Sequence, residues 1–468
     1  MEGGHTRLGL KKGRTNVKQH RALLIVAALV GATTLAVSLS VAAAGTSPTK
    51  RAAATAATIS PPAVPNAAAI KKKYHGQQIT FVGDNAIGNS HVRDQNLVAR
   101  FQKDTGIKVK LVPHPAASDA AYADLVRNFA SHSSSYDVMM LDVVWPGAFA
   151  PYLVNLKPAL GTQAKLHAAG IVQNDTVGGK LVAMPWFGDF GILYYRTDLL
   201  NKYGYNGPPK TWAQLGSMAK KIQAGERKSN PNFYGFVWQG NAYEGLTCDA
   251  LEWLASSGGG TFFAGNKSTI NNKNAVKMLN MVRGWVGTIA PRGVSTYQEE
   301  QARIPFDNGD AAFMRNWPYA YSPSAQAGSA VKGKFDVTVL PHAPGQHSVG
   351  TVGGWQLGVS KFSKHKSAAI EFVRYLTSPA VEKYDAIFNT NVPTIPTVAL
   401  NAAVRRANPY LKPAIAKVAR VTRPSRFLRA KYNKGSQIIY QGINQIENGA
   451  NASSVLPRIQ SQLNALLK

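Results

Sequence analysis

One cysteine, Cys248, stands in 468 residues, so the chain has no intrachain disulfide and no cysteine-built metal site. An oxidising compartment is tolerated, because a lone thiol has nothing to pair with inside the chain. Acidic residues are scarce: 24 Asp and Glu face 53 Lys and Arg, for a formal net charge of +29. The ten histidines are scattered, and none sits at metal spacing from a second ligand. No phosphate-binding loop, Gly-x-Gly-x-x-Gly after a strand, Gly-x-Ser-x-Gly or His-Glu-x-x-His occurs. An enzyme therefore has no positive support, and no cofactor and no metal are expected. No nucleic-acid motif occurs either, so no nucleic-acid partner is expected.

What remains is a globular composition, 45% hydrophobic and 16% charged, which excludes a wholly disordered or collagen-like chain. The length matches two to three domains. The first 21 residues hold Arg7, Lys11, Lys12, Arg14, Lys18 and Arg21 against Glu2 alone. Residues 22–44 then run without a charge, about 35 Å as a helix and enough to cross a bilayer. A basic flank before an apolar run sends the rest of the chain outward. The run ends in Ala42-Ala43-Ala44-Gly45, which suits signal peptidase, so residues 1–44 read as a cleaved signal peptide or a retained N-terminal membrane anchor. Residues 45–72, rich in Ala, Thr, Ser and Pro, read as a flexible linker. With the six cations and one anion of residues 1–44 removed, the body still carries +24. Such charge makes polyanions worth testing as partners. The nearest thing to a cluster is Arg405, Arg406, Arg420, Arg423, Arg426, Arg429 and Lys431, for which a solvated basic face is the expected reading.

The body alternates strand and helix signals. Ile79 to Val82, Ile107 to Leu111 and Asp137 to Leu141 read as strands, the last covered on both faces. Thr211 with Gln214 caps a helix whose inner face is Trp212, Leu215, Met218, Ala219 and Ile222. Residues 364–377 form another, stopped by Ser378-Pro379. This is an α/β pattern without internal repeat. Four stretches set aromatics beside Gly, Pro or a carboxylate after a strand-like run: Leu141 to Trp145, Pro185 to Asp189, Arg315 to Tyr319, and Gly353 to Trp355. Ligands of α/β sheets bind outside the carboxyl ends of strands. Sugars want this mixture, stacking C–H faces on aromatic rings and donating hydroxyls to carboxylates. Trp212, Trp253 and Trp285 are expected in the core, Trp317 and Trp355 at a site. His114 and His342, beside prolines, and the pair Glu299-Glu300 are expected in solvent.

The chain resembles the extracellular solute-binding proteins of bacterial ABC sugar importers, in particular the trehalose/maltose-binding branch. The likeness runs from about residue 77 to the C-terminus. It is carried by 183–196 (AMPWFGDFGILYYR), 208–212 (PPKTW), 236–246 (FVWQGNAYEGL), 315–320 (RNWPYA) and 353–358 (GGWQLG). It implies a type II periplasmic-binding-protein-like fold, two discontinuous α/β lobes with hinge crossings and a ligand cleft between them. Lobe one would take 77–184 and 346–398, lobe two 189–341 and 400–468. By the same resemblance, Asp142 and Asp189 accept sugar hydroxyls, and Phe187 keeps a stacking face where the branch has tyrosine. Trp317 and Tyr319 form an aromatic platform, Gly354 and Trp355 supply a backbone donor and a second stacking surface, and Arg423 reaches the sugar. The branch's lobe-one glutamate is missing, with Ser90 near its place, and its arginine is replaced by Tyr122 or Ala121.

The resemblance implies an exported receptor at the cell surface or in the periplasm, either tethered through residues 22–44 or free. It would be monomeric, capturing a trehalose- or maltose-like sugar and delivering it to the transmembrane subunits of an ABC permease. The alternative is an exported polyanion- or cell-surface-binding protein on the same scaffold.

Overall fold

Ten strands build two sheets. In chain order they are β1 (Gln78–Gly83), β2 (Lys108–Pro113), β3 (Val138–Asp142), β4 (Met184–Phe190), β5 (Ile192–Arg196), β6 (Tyr234–Val237), β7 (Ala311–Asn316), β8 (Phe335–Thr338), β9 (Val349–Val359) and β10 (Ala419–Val421). Flanking helices include α1 (Ala67–Tyr74), α2 (Ser90–Thr105), α3 (Trp212–Glu226), α4 (Glu244–Ala255), α5 (Glu299–Asp307), α6 (Lys366–Leu376) and α7 (Pro379–Phe388). The computed structural model describes residues 59–468 except Ala86. The expected signal or anchor, residues 1–44, lies outside the described residues. Among the described residues no helix is long and apolar enough to cross a membrane.

The first sheet has the order β10-β9-β3-β1-β2, with β4 also paired to β9. Parallel β1, β2 and β3 are the strand pattern read from the sequence, and every residue of β3 is buried. Phe81, Leu97, Phe101, Val138, Met140 and Phe372 pack one core here, with Phe372 edge-on to both Phe81 and Phe101 at 5.2 and 4.9 Å. The second sheet has the order β8-β5-β7-β6. Leu193, Phe236 and Phe313 are buried on one of its faces, Ile192, Tyr194 and Met314 on the other.

The chain passes from the first sheet to the second at Gly191, between β4 and β5. A Cβ there would stand 1.9 Å from Glu252 Oε1, so only glycine fits the crossing. It returns between β8 and β9. The eleven-residue β9 then joins three partners: β10 in parallel through Val349 to Thr351, β4 antiparallel through Val352 to Leu357, and β3 antiparallel through Trp355 to Val359.

Local signals set the ends of the helices. Thr211 and Gln214 form the expected capping box of α3. Gly106 closes α2 at φ 70°. Ser378 does more than stop α6: its side chain accepts from Val381 N–H and caps α7, with Pro379 at the first helical position.

The expected linker is folded in its second half. Residues 59–66 lie on the first sheet's helices, and α1 begins at Ala67. Val64 is buried and its N–H donates to Asp104 Oδ2 at 2.9 Å. Tyr375 Oη donates to Pro62 O at 3.0 Å. Proline removes a donor but leaves its carbonyl, and here two long side chains use those carbonyls to fix a segment that lacks its own periodicity.

Candidate functional site

The cleft lies where β3 and β7 end beside Phe187 to Asp189 of β4 and the middle of β9. Register accounts for the placement. Trp355 of β9 faces Asp142 across one edge and Phe187 across the other. The next rows bring Gly354 opposite Gly188 and Gly353 opposite Asp189. Gly354 has φ 115°, and a Cβ there would meet Phe187 O at 2.6 Å. That close approach lets three strands converge at one tryptophan. Trp317 follows β7 directly, and Tyr319 lies in the short 3-10 turn Pro318–Ala320.

All eight residues anticipated from the sequence, Asp142, Phe187, Asp189, Trp317, Tyr319, Gly354, Trp355 and Arg423, line one cavity of about 80 Å³. The cleft is closed around it: Asn89 Nδ2 donates to Ser322 Oγ at 3.1 Å, and a Cβ on Gly88 would touch Tyr319 at 2.9 Å. Small-molecule pockets usually run to about 300–1,000 Å³, so the cavity is narrow for a sugar-sized ligand. The core tryptophans are also as expected, with Trp212 and Trp253 both 2% exposed.

The polar groups are not equivalent. Arg423 takes Asp142 with two nitrogens, Nη1 to Oδ2 at 2.9 Å and Nη2 to Oδ1 at 2.5 Å, and its Nη1 also reaches Glu244 Oε1 at 2.8 Å. The Arg423 Nε–H is enclosed without a partner. Burial pushes the Glu244 carboxyl up, against the pull of Arg423. Asp189 has an enclosed Oδ1 with no hydrogen-bond partner. Burial drives its carboxyl well above the usual range, opposed by the charge of Arg315. Arg315 itself is clamped by Glu252, Nε to Oε2 at 2.9 Å and Nη2 to Oε1 at 2.7 Å. Its guanidinium carbon lies 3.9 Å from the Trp317 ring centre, a cation–π contact that helps hold that indole in place.

Several residues enter the cleft against expectation. His114 is 6% exposed rather than solvated, and stacks on Trp355 with ring centroids 5.2 Å apart. Glu299 and Glu300 do diverge, but both turn inward. Glu299 lines the cavity and accepts from Trp317 Nε1 at 3.4 Å, and burial raises its carboxyl. Glu300 accepts from Tyr319 Oη at 2.9 Å and from Arg303. Asp84, just past β1, also lines the cavity, so the segment without the branch's glutamate still offers a carboxylate beside Ser90. Tyr122 packs on Phe149 at 4.9 Å instead of lining the cavity. Within the basic cluster, Arg423 is buried in the cleft, and Arg420 lies 3.7 Å over Phe190, where burial lowers its pKa to about 10. Among the described residues no group of His, Cys, Asp and Glu is arranged to hold a metal ion.

The arrangement is a cleft with aromatic faces and acceptor oxygens. The model of the bacterial extracellular solute-binding protein family matches residues 89–383. A probable ABC transporter-binding protein of Deinococcus radiodurans is 47% identical over 365 residues, 77% of this chain and 87% of that one. The maltose-bound MalE3 of T. maritima superposes with a TM-score of 0.78 at 36% identity, over 84% of this chain and 100% of that one. The GacH receptor of Streptomyces glaucescens GLA.O, solved unliganded and with acarbose, shares the fold at a TM-score of 0.72 and 23% identity, over 84% and 98% of the two chains. With most of its folded body matched in these ways, the chain belongs to the bacterial extracellular solute-binding protein family.

Proposed function

We propose that this solute-binding protein of an ABC transporter captures a sugar, a disaccharide or similar of the trehalose or maltose kind, and hands it to the transporter's membrane subunits. The observation that carries the reading is the convergence of Trp317, Trp355, Asp142 and Asp189, from four separate chain segments, on one cavity. Trp355 and Trp317 stack on the sugar's C–H faces, with Phe187 and Tyr319 completing the walls. Asp142 and Asp189 accept hydroxyl protons, the Arg423 Nε–H donates, and the Gly354 backbone lies against the ligand. The T. maritima relative binds maltose. The chain acts outside the cytoplasm as a monomer, on a tether or free according to the fate of residues 22–44.

A second reading, an exported binder of polyanions or of the cell surface, has one observation in its favour. Among the described residues eleven carboxylates are buried but only four cations, so the surface is more basic than the composition. A thermal-shift panel of maltose, trehalose and other neutral saccharides on the full chain separates the two. A ligand at a hundred times its Kd adds about 2.7 kcal/mol to the folded state. A rise in Tm with a neutral saccharide is expected. No rise with any of them, alongside salt-sensitive binding of acidic polymers, would overturn the sugar reading.

A further inference from the structure

His114 sits in Pro113-His114-Pro115, immediately after β2. Its backbone N–H donates to Gly83 O at 3.1 Å, which extends the β1–β2 ladder by one residue and aims the imidazole into the cleft. The ring lies against Trp355 with an interplanar angle of 28°. Its Nδ1 is 2.5 Å from Pro115 O. A carbonyl oxygen only accepts, so Nδ1 carries the hydrogen, and in the neutral ring Nε2 is left with a lone pair. That Nε2 is enclosed and has no hydrogen-bond partner. The nearest charged atom, Asp84 Oδ1, is 3.7 Å away. Asp84 is already an acceptor, from Asn85 N–H at 2.9 Å and from Arg93 Nη2 at 3.4 Å. With the ring in that neutral tautomer, Nε2 and Asp84 Oδ1 are two acceptors facing each other with no hydrogen between them. A buried acceptor left without a donor is costly, and a ligand that brings donors relieves that cost.

We infer that His114 Nε2 is a ligand contact: it accepts a hydroxyl proton from the sugar lying against Trp355, while Asp84 accepts from a neighbouring hydroxyl. The pair forms an acceptor-only pole on the first sheet's side of the cleft. It fits the hydroxyl edge of a neutral saccharide and disfavours a ligand whose carboxylate or phosphate would face it. This contact rests on the sugar reading above.

The test is calorimetric titration of the full chain with maltose, with trehalose, and with monodeoxy analogues of whichever binds more tightly. Three proteins are compared: wild type, His114→Phe and His114→Gln. Phenylalanine keeps a flat ring against Trp355 but removes the acceptor; glutamine restores an acceptor oxygen. His114→Phe is expected to weaken binding about three- to tenfold, and His114→Gln to stay within about threefold of wild type. One monodeoxy analogue should lose affinity for wild type but not for His114→Phe, because its missing hydroxyl has no acceptor to lose there. Thermal melts of each variant establish that it is folded, and His114→Leu, which also lacks the acceptor, takes the place of His114→Phe where that variant is not. Equal binding by wild type and His114→Phe would overturn the contact. So would equal losses in both variants, or the same response to every analogue in wild type and variant. Wild type that binds neither disaccharide nor any other neutral saccharide would instead sink the sugar reading itself.

Discussion

Arg423 and Asp142 meet across the cleft through two parallel hydrogen bonds, and the same guanidinium reaches Glu244 on the other side. Asp142 ends β3 in the first sheet, whereas Glu244 opens α4. One arginine thus pairs with two buried carboxylates from different parts of the fold. Removing it strands both. Arg423→Met is expected to lower stability by about 3–5 kcal/mol, read from urea unfolding followed by tryptophan fluorescence. Adding Asp142→Asn and Glu244→Gln to Arg423→Met should restore much of that loss, since neutral amides no longer need the cation. A triple variant no more stable than Arg423→Met would contradict this account.

Asp189 is the converse case, a carboxylate whose enclosed Oδ1 has no hydrogen-bond partner. Its substitution by asparagine should separate function from folding. The charged hydrogen bond to a sugar hydroxyl is worth about 1.5–3 kcal/mol, so Asp189→Asn should bind maltose or trehalose roughly ten- to a hundredfold more weakly. Its Tm at pH 7 should be unchanged or higher, because burial disfavours the charge that asparagine lacks. A variant that loses Tm while keeping its affinity would place Asp189 in the scaffold rather than the site.

Local chemistry made much of the fold legible. The capping box at Thr211, the glycine stop at Gly106 and the apolar run of β3 each need only a few neighbouring residues to be recognised. The crossings between sheets have no such signature. Gly191 reads as one glycine among 42 until Glu252 is seen against it. The eight residues named by resemblance do line one cavity, with residue types that suit sugars. His114 and Glu299 were missed because their neighbours in sequence suggested solvent, and Asp84 because it is not the glutamate the branch places in that segment. Proline on both sides of His114 reads as a loop, and its partner Trp355 lies far along the chain. One signal was available: Asp84 and His114 each follow the carboxyl end of a parallel strand, where ligands of α/β sheets bind. Glu299 had none, because its orientation depends on how α5 packs beneath Trp317.

Asp94 gives the fold a pH dependence of known sign. It is 1% exposed and accepts from Asp84 N–H at 2.7 Å and Arg93 Nε at 2.9 Å. Burial nevertheless pushes its pKa up to about 6, against Arg93 and with help from Asp84. The folded state therefore holds the proton more tightly than the unfolded chain, where the value is near 3.8. The stability this contributes is fully present below about pH 4 and is lost as pH rises through about 6. Asp94→Asn is neutral throughout. The stability of wild type relative to this variant should fall by about 2 kcal/mol between pH 4 and pH 7. Urea titrations of both proteins across that range check it, and a constant difference would refute the assignment.

Trp355 decides between the two readings of function. Gly353 and Gly354 precede it, and the φ of 115° at Gly354 lets the strand turn the indole toward Asp142 and Phe187. A sugar ring laid on that indole sheds water from its apolar face, a gain largely indifferent to ionic strength. Binding of acidic polymers by the basic surface depends on released counterions and weakens steeply as salt rises. Titrations of wild type and Trp355→Ala with maltose or trehalose, at about 50 mM and 500 mM salt, should show the variant weaker by a factor that salt leaves unchanged. Stacking contributes about 0.5–1.5 kcal/mol beyond the area it covers, so a loss of tenfold or more is expected. If Trp355→Ala binds as wild type does, and both proteins hold only acidic polymers at low salt, the cleft is not the working surface of this protein and its basic exterior is.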